Sequence, residues 1–280
     1  GSEVTFNAAN TVDIKAAFDT NANKVVIAYR DSGNSQYGTA IVGTVSGTSI
    51  SFGSEVVFES ADARGLGIAY DSNSQKILIG FELQSSGTGY AIVGTVSGTS
   101  ISFGSKSQFT TNQVDVIRLT YDSAAQKVVI LYRNQSTSPY SGRIFPATIS
   151  GTSVSFGTET TWSSTSFAYA GLTYDSNQQK AAFVYPDATN NDYLAARVFQ
   201  TGYTQQNLTS ENYIGISSSG AADGAGAIID TQGAIADNLS SLTAGQSYFV
   251  QTDGTLSETA DDPSVFAGTA VSATKLIVKG

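Results

Sequence analysis

The chain has 280 residues with no Cys, no His and no Met, and carries a formal net charge of -9 from 14 basic and 23 acidic side chains. Without Cys or His there is no disulfide, no thiolate or imidazole metal site, and no Ser-His-Asp or Cys-His chemistry. The acidity and the scarcity of clustered cations argue against a nucleic-acid backbone as partner, and the short apolar runs argue against membrane insertion.

Read from its start, the chain repeats itself. An aromatic-Asp pair, a Lys five residues after the Asp and a second aromatic recur as Phe18-Asp19/Lys24/Tyr29, Tyr70-Asp71/Lys76/Phe81, Tyr121-Asp122/Lys127/Tyr132 and Tyr174-Asp175/Lys180/Tyr185. The leading aromatics stand at 18, 70, 121 and 174, spacings of 52, 51 and 53 residues. Such a period belongs to β-propeller blades and stacked arrays. Within the first repeat, alternating apolar residues and turn chemistry predict strands near 12–18, 24–30, 38–45 and 48–58. Asp19-Thr20-Asn21-Ala22-Asn23 has the composition of a hairpin turn, and Gly47 supplies a turn between the third and fourth strands. The segment Ala40 to Ser54 returns unchanged as Ala91 to Ser105. Four antiparallel strands per unit predict an all-β fold, a four-bladed β-propeller over residues 1–204.

The ends of the array suggest how a ring would close. Counting back sixteen residues from each leading aromatic lands on Ser2, Ser54, Ser105 and Thr158, so Ser2-Glu3-Val4-Thr5-Phe6 aligns with Ser54-Glu55-Val56-Val57-Phe58. The last repeat lacks its outer strand after Phe199. The N-terminal strand is therefore expected to pair with 193–199 and close the last blade. Small residues of the first strands, among them Ala16, Gly65, Gly67, Ala69 and Gly171, are expected at the axis. Val25, Ile27, Ile77, Ile79, Val128, Ile130 and Phe183, or their alternates, are expected between blades.

Near residue 205 the pattern ends, and 205–280 reads as a small C-terminal β-barrel or β-roll domain. Strands are expected at 227–230, 247–251 and 275–279, with turns at Asp253-Gly254 and Asp261-Asp262-Pro263. The segments Asn212 to Ser217, Leu242 to Leu256 and Ala267 to Gly280 resemble the C-terminal module of tail-fibre and related virion proteins of tailed phages, marine ones especially. That resemblance implies a structural or host-recognition part of a virion tail, commonly a homotrimer contacting other virion proteins.

Chemistry is expected at the surface, without a catalytic centre. Asp19, Asp71, Asp122 and Asp175 fall at hairpin entries, where Asp bonds its own backbone. A calcium reading of those loops fails because Asp122-Ser123-Ala124-Ala125 lacks the ligands and no loop has the Gly and bidentate Glu of a calcium site. No cofactor, metal or catalytic residue is expected, and the chain is read as not an enzyme. In a propeller the loops between strands two and three share a face with the inter-blade links. Tyr37, Tyr90, Tyr140 and Tyr193 stand there, with Arg30, Arg64, Glu82 and Arg133 nearby, as a candidate site for a cell-surface glycan or receptor. The alternatives are tyrosines packed between blades, and a secreted or surface-bound bacterial carbohydrate-binding propeller instead of a virion part. Location is expected to be the virion tail or extracellular.

Overall fold

The computed structural model describes residues 1–164, 166–201, 213–219, 226, 228–251, 254–260 and 264–279. The chain divides into two units, Gly1–Thr201 and Gly202–Gly280. The expected boundary at 204/205 and the turn residues Asp253 and Asp261 to Pro263 lie outside the described residues.

The first unit is all-β and follows the repeat; the antiparallel strand group of each repeat is labelled a blade, numbered 1 to 4 in chain order. Blade 1 comprises β1 (Thr11–Asp19), β2 (Lys24–Asp31), β3 (Tyr37–Ser46) and β4 (Ser49–Phe52). Blade 2 comprises β5 (Val56–Asp71), β6 (Lys76–Leu83), β7 (Thr88–Ser97) and β8 (Ser100–Phe103). Blade 3 has β9 (Ser107–Asp122), β10 (Lys127–Asn134), β11 (Ser141–Ser150), β12 (Ser153–Phe156) and β13 (Thr160–Ser163). Blade 4 has β14 (Gly171–Asp175), β15 (Lys180–Asp187) and β16 (Tyr193–Phe199).

The expected fourth strand at 48–58 is two strands. β4 pairs with the far end of β3, and the start of β5 pairs with its near end, with Thr39 opposite Val57 and Ala40 opposite Val56. β5 then runs on and pairs with β6 from Ala63 to Asp71. One sixteen-residue strand thus ends one blade and begins the next, and β9 repeats the device. Gly53 sits between the two outer strands because a Cβ there would lie 1.8 Å from the carbonyl oxygen of Thr99 in the next blade; Gly104 faces Thr152 in the same way at 2.2 Å.

The blades stack face to face. Ile77, Ile79 and Phe81 of β6 pack towards Val26, Ala28, Ala40 and Val42 of blade 1, while Leu78 joins Val128, Ile130 and Tyr132 of blade 3. Val129, Leu131 and Ile144 pack in turn with Ala181, Phe183 and Tyr185. Alternate positions of each strand therefore serve opposite neighbours, as a period of two requires. Each fully buried Ile or Leu contributes about 1.5–3 kcal/mol. Among the expected inter-blade positions, Val25 and Ile27 are only half-buried, and no strand covers that face of blade 1 among the described residues.

Among the described residues the expected closure of a ring through Val4 and Thr5 is not seen. Thirteen strands, β1 to β13, make one sheet, and β14, β15 and β16 make a second. Residues 1–10 contain no strand, and among the described residues β16 pairs with β15 alone. The stretch aligned with 2–6 becomes a strand in blades 1 and 2 only through the ladder of a preceding third strand, and no such strand lies beside Val4 and Thr5. The alignment itself holds in the packing: Phe6 meets Tyr29 and Phe52 just as Phe58 meets Phe81 and Phe103.

The second unit is also β. β17 (Ile216–Ser217) pairs with β18 (Ile229–Asp230). β19 (Ile235–Ala236), β20 (Ser247–Val250), β21 (Leu256–Ser257), β22 (Phe266–Ser272) and β23 (Lys275–Val278) form a sheet in the order β19-β23-β22-β20-β21. Ala236, Leu242, Tyr248, Ala270, Leu276 and Val278 make its core. The sheet is open, so no barrel is formed among the described residues.

Candidate functional site

The two ends of the blades differ in chemistry. At the hairpin end, the Asp19 carboxylate accepts from the N–H groups of Asn21 and Ala22 at 2.9 and 2.8 Å. Asp71, Asp122 and Asp175 repeat this on residues two and three further on. Tyr70, Tyr121 and Tyr174 each reach back to the turn of the preceding blade, accepting from Asn21, Asn73 and Ala124 at 3.2–3.3 Å. The recurrence of Asp is a property of these turns. Among the described residues no group of acids is placed to hold a metal ion.

At the opposite end the β2–β3, β6–β7 and β10–β11 loops meet the blade crossovers. Gln84 N–H donates to the Asp62 carbonyl, Val114 N–H to that of Gly87 and Gln135 N–H to that of Gln113. Arg30 lies between Asp13 at 3.7 Å and Asp62 at 3.2 Å. Arg64 grips the same Asp62, its Nε at 3.1–3.2 Å from both oxygens and a terminal nitrogen at 2.6 Å. Cross-strand from Arg64 stands Glu82. Burial pushes the Glu82 carboxyl up to about 7 against the pull of Arg64, and the Asp115, Asp62 and Asp13 carboxylates push it further. Asp115 in turn pairs with its cross-strand partner Arg133 and accepts from Gln135 at 2.7 Å. Burial and the neighbouring Arg118 hold the Lys15 ammonium below its usual range. The result is a band of charged pairs at the loop ends of three blades, with Glu82 and Asp115 as like-charged neighbours within it.

Of the residues expected from sequence, Arg30, Arg64, Glu82 and Arg133 belong to this band, and the tyrosines do not share one place. Tyr37 and Tyr193 hold equivalent positions, opposite Asp31 and Asp187. Tyr37 is half-buried, and Tyr193 is 62% exposed. Tyr90 lies two residues further along its strand, stacked on Phe81 at 6.0 Å with Lys106 over its ring, and is a packing residue. Tyr140 precedes β11 and carries the Arg133 guanidinium 5.3 Å over its ring, and Tyr37 stands cross-strand from Asp62, so these two adjoin the band. Counting from the preceding aromatic misaligned them because the intervening loops differ in length. Asp13 and Gln135 were missed; the signal for Asp13 was its place at the start of a first strand, level with Arg30.

No protein-family model and no curated protein matches this chain.

Proposed function

We propose that the four repeats are blades of a β-propeller and that the chain is a non-enzymatic recognition component of a virus tail, meeting a glycan or receptor on a cell surface with its charged rim. Support for the blade reading comes from the faces at the two ends of the stack. Phe18, Val25 and Ile27 on one, and Val184 and Val198 on the other, occupy positions that interior blades bury against neighbours. Support for the tail comes from the residues of the C-terminal unit alone.

The observation that carries recognition is the rim band. Exposed ion pairs add little stability, about 0–1 kcal/mol each, and a carboxylate held half-buried as Glu82 is lowers it. Charges kept at loop ends despite that cost are suited to a polar partner. The repeated aspartates are consumed by turns, which leaves no repeated carboxylate pair for hydrolysis. Labelled full-length chain, applied to a glycan array and to bacterial cells, tests the reading. Arg30→Ala with Arg64→Ala is expected to weaken binding about tenfold or more, the equivalent of about 1.4 kcal/mol, without loss of the fold. Binding unchanged in that variant would refute the rim. The resemblance of the second unit adds a homotrimer and contacts with other virion proteins, which the mass of the soluble chain measures.

A further inference from the structure

The repeats calibrate one another, and the fourth departs from the other three on its third strand. In β3, β7 and β11 the residues opposite Ile27, Ile79 and Ile130 are Ile41, Ile92 and Phe145, which are 2%, 3% and 2% exposed. In β16 the residue opposite Phe183 is Arg197. A second departure adjoins it: the crossover strand that is continuous in β5 and β9 is interrupted here, β13 ending at Ser163 and β14 beginning at Gly171. Between β13 and the β15–β16 pair the interruption leaves a cleft of about 410 Å³ lined by Trp162, Tyr185, Asp187, Thr189 and Arg197. That volume falls within the range of small-molecule sites, about 300–1,000 Å³.

The donors in the cleft match a carboxylate. In blades 1 and 3 the equivalent tyrosines, Tyr29 and Tyr132, donate their hydroxyls to Glu55 and Glu159. Tyr185 instead accepts from the Nε of Arg197 at 3.0 Å, and among the described residues no carboxylate forms an ion pair with that guanidinium. Asp187 lies within electrostatic reach of Arg197, and its carboxylate is held by the N–H and hydroxyl of Thr189 at 3.0 and 2.6 Å. The indole N–H of Trp162 is buried without an acceptor among the described residues, which costs about 1–3 kcal/mol. The cleft also adjoins the rim: Arg133 donates to the carbonyl of Phe167, on the segment that interrupts the crossover.

We propose that this cleft binds a carboxylated sugar, a hexuronate or similar acidic pyranose of a surface polysaccharide, with Arg197 taking the carboxylate where repeats 1 and 3 use their own glutamate on a tyrosine. The proposal rests on the recognition reading above and adds to it a subsite and a ligand class. The planar guanidinium suits a carboxylate bidentately, and the cleft's aromatic and hydroxyl groups suit a sugar ring.

Trp162 is the one tryptophan of the chain, so its emission reports on the cleft in the intact protein. Titration with oligogalacturonate is expected to change that emission saturably, and a neutral oligosaccharide of the same length is not. Arg197→Gln, exposed and outside any core, should weaken the response about tenfold or more, and Arg197→Lys should restore part of it. If the chain binds glycans or cells while Trp162 emission stays unmoved, the cleft assignment falls and the recognition reading stands. If it binds no glycan and no cell, both fall. Glu3 holds the place of Glu55 in the repeat; if Glu3→Gln alone shifts the emission and oligogalacturonate does not, the cleft belongs to the chain's own glutamate and the proposal is overturned.

Discussion

The Asp turns offer the sharpest quantitative test, because four copies of one motif differ in burial. Asp71 is 1% exposed, and its Oδ1 accepts from Asn73 at 2.9 Å and Ser74 at 3.0 Å. Asp71→Ala removes the acceptor from both donors. At about 1.5 kcal/mol for each charge-assisted bond, the loss is about 3 kcal/mol. Asp71→Asn keeps an oxygen in place and should cost about 1 kcal/mol. Asp175 makes the same two bonds at 2.9 and 3.0 Å but lies exposed, so water replaces the lost acceptor and Asp175→Ala should cost about 1 kcal/mol. For a domain of this size each kcal/mol moves the melting temperature by about 2–4 °C, so Asp71→Ala should lower it by about 6–12 °C and Asp175→Ala by about 2–4 °C. Calorimetry, with urea unfolding followed by circular dichroism, measures both. Equal shifts at 71 and 175, or an Asn variant as damaging as the Ala variant, would refute the reasoning.

Glu82→Gln carries a pH signature. With its carboxyl raised to about 7 by burial, the folded chain holds a proton that the unfolded chain releases near 4.5. Its contribution to stability is thus fully present below about pH 4.5 and lost as the pH rises through 7. The Gln variant should be more stable than the parent at pH 8, by on the order of 1–3 kcal/mol, and indistinguishable from it near pH 4; a constant difference across that range in urea titrations would count against it. Tyr132→Phe strips Glu159 of a hydroxyl donor, leaving Arg143 at 3.3 Å, and should cost about 1–2 kcal/mol. Tyr132→Phe with Glu159→Gln should cost less than the sum of the two single changes, which a double-mutant cycle reads directly.

The repeat made much of the first unit legible. Aromatic-Asp pairs at a steady spacing located the hairpins, and alternation located the strands whose two faces are both buried. What escaped were facts of pairing. The single outer strand expected at 48–58 divides because β3 is long enough to hold two partners, something its own residues do not display. Closure through Val4 and Thr5 matched by alignment, yet a ladder needs a neighbouring strand as well as a matching sequence. The tyrosines were counted along loops of unequal length, whereas Arg30, Arg64, Glu82 and Arg133 sit on strands, where register is fixed, and came together. Arg197 was passed over because a lone Arg among alternating residues has no periodic mark; only its opposite number in three other blades shows it to be out of place. In the second unit the seven-residue β22 has its bulky β-formers Phe266 and Val271 set apart by Ala, Gly and Thr, which leaves no alternating apolar run to betray a strand.

The hydroxyl that each blade lends to the turn before it gives the array a polarity. Asn21, Asn73 and Ala124 are all secured from the C-terminal side, and Phe18, which opens the first repeat, has no hydroxyl to lend backwards. Loss of a blade downstream therefore loosens its predecessor, while loss of one upstream takes nothing of this kind away. When a downstream repeat opens, faster hydrogen exchange is expected at Asn21, Asn73 and Ala124 in its predecessors, one repeat at a time towards the N-terminus.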